Sequence, residues 1–165
     1  MRAVADGLPP RLQQALDAAG VPYEVLRHEA TLHRAEDGAA HFGIALAQMA
    51  PTLIVQTEAG LLAATISGTT RLSLKKVKRA LGLRNVALAP REVVVDLTGA
   101  EPGIVALVNP GLPTVVDRRL LDEPWAYGGC GIPARTLRMR PADVVAVTGA
   151  RVLDIAEAKE PDRPA

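Results

Sequence analysis

The chain has 165 residues, a length that suits one domain with an ordinary core. Hydrophobic residues make up 48% but aromatics only 2%, so the core must be built from Leu, Val, Ile and Ala. Lys+Arg 19 against Asp+Glu 18 leaves a net charge of +1, and there is one cysteine; a histone-like polycation, an internal disulfide framework and a thiolate-rich zinc site are excluded, while a local basic patch is not.

The opening "MRAVADGLPP" has no apolar core and is not expected to be a signal peptide. No run of about eighteen apolar residues is present, so no membrane span is expected and a cytoplasmic soluble domain is the default. "PPRLQQALDAAGVP" reads as a helix, with Pro10 in the first turn, Leu12 and Leu16 one turn apart, and Gly20 and Pro22 ending it. "YEVLRH" alternates like a short strand, and "HRAEDGAAHFG" reads as a second helix stopped by Gly43. "TLIVQTEAGLLAATIS" places two β-rich apolar runs around Glu58-Ala59-Gly60 and predicts a hairpin. In "RLSLKKVKRALGL", Ser73 can cap a helix, Leu74, Val77 and Leu81 line one face, and Gly82 stops it. Its other faces carry Lys75, Lys76, Lys78 and Arg79.

"NVALAPREVVVDLTG" gives a short strand, then a helix from Pro90 to Gly99. "GIVALVNPGLPTVVD" is an apolar segment, an "NPG" loop and a strand into Asp117. A further strand leads into "YGGCGIPARTL", which "RTLRM" leaves as another. "RPADVVAVTGARVLDIAE" closes with a helix and a short strand, and the charged tail "EAKEPDRPA" is expected to fray. The sum is one domain over residues 1–157 with a tail at 158–165. The fold class is mixed α/β (α+β), mostly antiparallel, with helices packed outside the sheet.

Three glycines surround Cys130 within a few residues. A redox role would need a partner cysteine and a nucleophile a nearby base; a small residue packed in a tight turn is the favoured reading. Gly128-Gly129 in a strand marks either a bulge or a place where a ligand approaches the backbone, and "NPG" at Asn109 to Gly111 is a second such point. Pocket and ordinary turns stay equally open on these residues alone. His28-x4-His33-x7-His41 matches no ligand spacing, so neither metal nor cofactor is expected. The basic helix is either a solvated face or a phosphate-contacting one.

Taken in order, the hairpin, "SGTTRLSLKKVKRALG", "VALAPREVVVDLTG", "GLPTVVD", the Gly-Gly strand end and "RPADVVAVTGARVLDIAE" resemble the YbaK/EbsC-type aminoacyl-tRNA deacylases. These are relatives of the editing (insertion) domain of bacterial prolyl-tRNA synthetases. "HEATLHRAED" also resembles the family's His-Thr-Ala-Glu-like segment, with His33 and Glu36 in place. The resemblance runs from about Pro9 to Glu157 and implies a barrel-like mixed sheet ringed by helices. It implies hydrolysis of the ester joining a wrong, small amino acid to the 3′-end of a tRNA. Backbone donors and the tRNA's own 2′-hydroxyl would do this work without a protein nucleophile.

Carried onto this chain, Gly103, Gly128 and Gly129 would present catalytic backbone. His33, Pro51, Asn109, Gly111, Cys130, Gly131 and Thr136 would line the substrate site. Arg71, Lys75, Lys76 and Arg79 would track phosphates. The implied partners are tRNA and an aminoacyl-tRNA synthetase. Three positions depart from the family pattern. Pro51 stands where the family has a lysine, Thr136 where it often has an acid, and "GIVAL" at Gly103 to Leu107 replaces a Gly-Gly-Ile-Ser-Pro-like loop, with Leu107 at the proline's place. The chain is thus either a divergent deacylase with its own pocket or a module that binds without hydrolysing.

Overall fold

A computed structural model describes residues 7–159. Helix α1, Pro10–Ala19, starts on a proline that needs no amide partner and ends at Gly20 with φ 67°. It buries Leu12 and Leu16. Strand β1 is Glu24–Arg27 and helix α2 is Ala35–Phe42. The hairpin is β2, Thr52–Thr57, and β3, Gly60–Thr65, paired in register from Thr52↔Thr65 to Thr57↔Gly60. β4, Thr70–Leu72, precedes α3, Leu74–Leu81, whose Ser73 hydroxyl accepts from the Lys76 amide as the sequence led one to expect. There follow β5, Val86–Leu88; α4, Arg91–Thr98; β6, Thr114–Asp117; β7, Ala126–Gly129; β8, Arg135–Met139; α5, Pro141–Thr148; β9, Arg151–Leu153; and β10, Ala156–Ala158.

The strands form three sheets. The largest runs β5-β2-β3-β6-β9, a second runs β1-β8-β7, and β10 pairs with β4 alone. Pairing is antiparallel except for β3–β6 and β6–β9, so the mixed, mostly antiparallel class holds. The strands do not close into a barrel. β7 meets the residues before β2 at the isolated Met49↔Tyr127 bridge and through the bond from Ala50 N to Tyr127 O, 2.8 Å.

The hairpin is buried on both faces. Adjacent residues of a strand point to opposite sides. Val55 packs with Val77 of α3, while its neighbour Ile54 packs with Val94 of α4. A sheet covered on both sides explains why "TLIV" is a continuous apolar run and not an alternating one. A third cluster joins Leu12 and Leu16 of α1 to Val116, Leu137, Met139 and Val144, so the core is aliphatic as composition required.

Two strands were not anticipated. β4 was expected to be the lead into α3, and β9 and β10 one strand. What separates β9 from β10 is Asp117. Its carboxylate is fully buried and accepts from the amides of Ile155, 2.9 Å, and Ala156, 3.1 Å. It also accepts from the amide of Arg119, 3.1 Å, and pairs with that guanidinium. This turns the chain back toward β4, where Ala156 pairs with Leu72. Ala158 closes β10, and Lys159 N donates to Thr69 O, 3.2 Å. The expectations for the remainder of the tail and for the first six residues lie outside the described residues. Among the described residues no helix is long and apolar enough to cross a membrane.

Replacing Asp117 with Ala strips two buried amides and the half-buried amide of Arg119 of their acceptor, and leaves the Arg119 side chain facing Asp154 alone. Urea denaturation is expected to show a loss of about 3 kcal/mol. A loss below about 1 kcal/mol would contradict this role for the carboxylate.

Candidate functional site

A cleft of about 570 Å³ opens where the β1-β8-β7 sheet faces the hairpin. One wall is the loop Gly103-Ile104-Val105, and β7 contributes Gly128 and Gly129. Ala50, Pro51 and Thr52 enter from the start of β2, His28 and His33 from the segment before α2, and Thr136 from β8. Cations come from Arg34, Arg71, Arg135 and Lys159, and an anion from Glu36.

The glycines have a definite steric task. A Cβ at Gly129 would lie 2.5 Å from the carbonyl oxygen of Val105 and 2.7 Å from that of Ile104. One at Gly128 would lie 3.0 Å from Leu107 Cβ and 3.1 Å from Ala50 O. The space left by the missing side chains is therefore filled by the protein's own 104–107 segment. Leu107 N donates to Gly129 O, 2.8 Å, and Gly131 N to Ile104 O, 3.0 Å, pinning that segment along β7. Gly103, with φ 100°, is packed against His33, whose carbonyl oxygen would lie 3.2 Å from an added Cβ. Among the described residues the amides of Gly103 and Val105 have no hydrogen-bond acceptor, whereas that of Ile104 donates to Glu101 O, 3.1 Å. Gly103 and Val105 both line the cleft.

Several polar side chains of the cleft are tied in pairs. Glu36 accepts from Lys159 Nζ, 3.1 Å. Its own backbone amide at the start of α2, then the Lys159 side chain, hold its carboxyl below the ordinary range. Arg71 pairs with Glu157, 3.0 Å. Thr136 Oγ1 lies 3.0 Å from His28 Nε2.

The residues expected from sequence divide into three groups. His33, Pro51, Gly103, Gly128, Gly129, Thr136 and Arg71 all line the cleft. Asn109, Gly111, Cys130 and Gly131 do not. They line a second cavity of about 540 Å³, with Pro9, Arg11 and Leu97. Asn109 Nδ2 is used locally on Ala106 O, 2.8 Å. Cys130 is wholly buried in the α1 core cluster, with Sγ 3.7 Å from Arg135 O. Burial pushes its thiol up, away from the thiolate a nucleophile needs. Lys75, Lys76 and Arg79 form the third group and touch neither cavity. Lys76 Nζ donates to Asp154 Oδ1, 3.0 Å, and to Ala156 O, 2.8 Å, clamping α3 to the turn before β10. Lys76, then Arg119, holds the Asp154 carboxyl below its ordinary range.

Sequence reading missed His28, Arg34, Arg135 and Lys159 as cleft residues. Lys159 had been assigned to the tail. His28 stood in the quoted "HEATLH" segment, but its partner Thr136 lies 108 positions away. Among the described residues no group of three or more His, Cys, Asp or Glu is arranged to hold a metal ion.

Residues 29–147 match the family model of the aminoacyl-tRNA editing domain. Over 83 residues, 50% of this chain, the sequence is 39% identical to the proline–tRNA ligase of Syntrophotalea carbinolica. Over the same length it is 34% identical to the proline–tRNA ligase of Xylella fastidiosa. These matches span only 14% and 15% of the two ligases. Among solved structures, the hypothetical protein APE2540 superposes with a TM-score of 0.82 at 33% identity, covering 89% of this chain and 99% of its own. A candidate trans-editing enzyme for prolyl tRNA synthetase superposes with a TM-score of 0.81 at 32% identity, covering 92% and 100%.

If the glycine at 129 exists to let the 104–107 segment approach, Gly129→Ala must force that segment away. Urea denaturation is expected to show about 2 kcal/mol of lost stability. A variant as stable as the parent would show that the segment is not held by this contact.

Proposed function

We propose, on the premise that this chain belongs to the aminoacyl-tRNA editing domain family, that it hydrolyses in trans the ester of a mischarged tRNA carrying a small amino acid. The observation that carries the reading is the cleft wall formed by Gly103 to Val105, with its two acceptor-free amides, opposite a floor of small residues. A cleft of about 570 Å³ lies inside the range of roughly 300–1,000 Å³ common for small-molecule sites. It has room for the terminal adenosine and its aminoacyl group.

An aminoacyl ester is intrinsically labile, so the site needs mainly to hold it, polarise its carbonyl and admit water. The Gly103 and Val105 amides supply N–H donors for the developing oxyanion, already fixed by the packing of the loop on β7. The tRNA's vicinal 2′-hydroxyl lies beside the reacting carbon in any such ester and assists without a protein nucleophile. Ala50, Pro51, Gly128 and Gly129 keep the floor shallow. Selection by size follows, though each methylene is worth only about 1–3 kcal/mol. Arg34, Arg71, Arg135 and Lys159 ring the cleft and supply charge for the terminal phosphates. The basic face of α3, through Lys75 and Arg79, extends that charge outward. A prolyl-type synthetase is the natural partner, given the ligases that carry the related segment, and translation places the protein in the cytoplasm.

One observation favours a second reading. Pro51 lines the cleft where the resembling family has a lysine, so a cation has been replaced by an apolar ring. On that reading the cleft captures a charged or uncharged 3′-end without hydrolysing it.

A panel of tRNAs misacylated with small amino acids separates the two. Time-dependent release from one or two species is expected, with the remainder stable. A flat panel alongside salt-dependent retention of tRNA on filters would select the binding module instead.

A further inference from the structure

Thr136 is 6% exposed and stands opposite Gly129 in the β7–β8 register, at the base of the cleft. Its hydroxyl lies 3.0 Å from His28 Nε2. The other ring nitrogen, Nδ1, faces the carbonyl oxygen of Ala30. A carbonyl can only accept, so Nδ1 carries the proton of the neutral ring. Nε2 is then an acceptor, and Thr136 must donate to it. The single hydroxyl proton is committed, so Thr136 Oγ1 presents only lone pairs to the cleft. The ring itself is braced edge-on by His41 and Phe42, with centroids 5.5 and 5.9 Å away.

We propose that His28 and Thr136 form a proton-accepting pair that seats and deprotonates the attacking water. The inference rests on the deacylase reading above. The water donates to Thr136 Oγ1 and attacks the ester carbonyl carbon. As the new C–O bond forms, the water's proton passes to Thr136 and the threonine's own proton passes to His28 Nε2. The resulting imidazolium donates from Nδ1 to Ala30 O and from Nε2 to Thr136. When the tetrahedral species collapses, the C–O bond to the ribose breaks and the proton returns through Thr136 to the leaving oxygen. Water is the only co-reactant. Thr136 touches the reacting water, and His28 is the positioning residue that sets its polarity.

The test is a deacylation assay with paired variants. Thr136→Val keeps shape and removes the hydroxyl; its kcat is expected to fall by about a hundredfold with little change in KM. Thr136→Ser should recover to within about threefold of the parent. His28→Gln can still accept from Thr136 but is too weak a base to take its proton, so its kcat should fall by about tenfold or more with little change in KM. A Thr136→Val or His28→Gln variant within about threefold of the parent would overturn the pair. Nitrogen-15 NMR of the histidine rings reads the tautomer with no substrate present. The Nδ1–H form is expected at His28, and the Nε2–H form would overturn the pair even in an active enzyme. The parent protein's turnover alone decides the deacylase reading; the variants and the tautomer decide the pair.

Discussion

The site depends on how closely the 104–107 segment approaches β7. Two carbonyl oxygens occupy the volume in which a Gly129 side chain would begin, and two hydrogen bonds, Leu107 N to Gly129 O and Gly131 N to Ile104 O, fix the approach. Close packing of this kind leaves the segment little freedom. It places Gly103 against His33 and sets the Gly103 and Val105 amides on the cleft wall. The position of the loop is thus set by the core and not by a ligand, and such preorganisation is the condition under which fixed dipoles stabilise a developing charge most effectively. The glycines of β7 make room for the loop that forms the cleft wall.

A second constraint, the buried Asp117, brings the far end of the chain to the same place. By accepting from Ile155 and Ala156 it turns β9 into β10, and β10 pairs with β4. That pairing sets Arg71 beside Glu157 and delivers Lys159 to Glu36 at the cleft. Lys76 and Arg119 hold the same turn through Asp154. Cations close in sequence therefore serve different ends. Arg71 reaches the cleft, Lys76 is absorbed by the fold, and Lys75 and Arg79 face solvent.

Local features were legible in the sequence, and distant pairings were not. Helices stopped by Gly20, Gly43, Gly82, Gly99 and Gly149, the Ser73 cap and the hairpin all follow from short-range chemistry. β4 and β10 are three residues each, too short to show a period, and each finds its partner more than eighty positions away. The division of the glycine cluster was hidden for a related reason. Gly129 ends β7 on the cleft, while Cys130, the first residue past the strand, enters the core. Asn109 and Gly111 follow Cys130 to the second cavity. His28 and Thr136 meet only because β1 pairs with β8, with Arg27 opposite Arg135, and neither residue marks the other in the sequence.

The central claim is that the aminoacyl end of a tRNA is held against the Gly103–Val105 loop. The most direct test is an amide NMR titration with a non-hydrolysable 3′-aminoacylamido-adenosine bearing alanine. The account predicts saturable shifts at Gly103, Val105, Gly129 and Thr136, with Asn109, Gly111 and Gly131 unmoved. Shifts confined to those last three residues, or none at any concentration at which the probe dissolves, would contradict it.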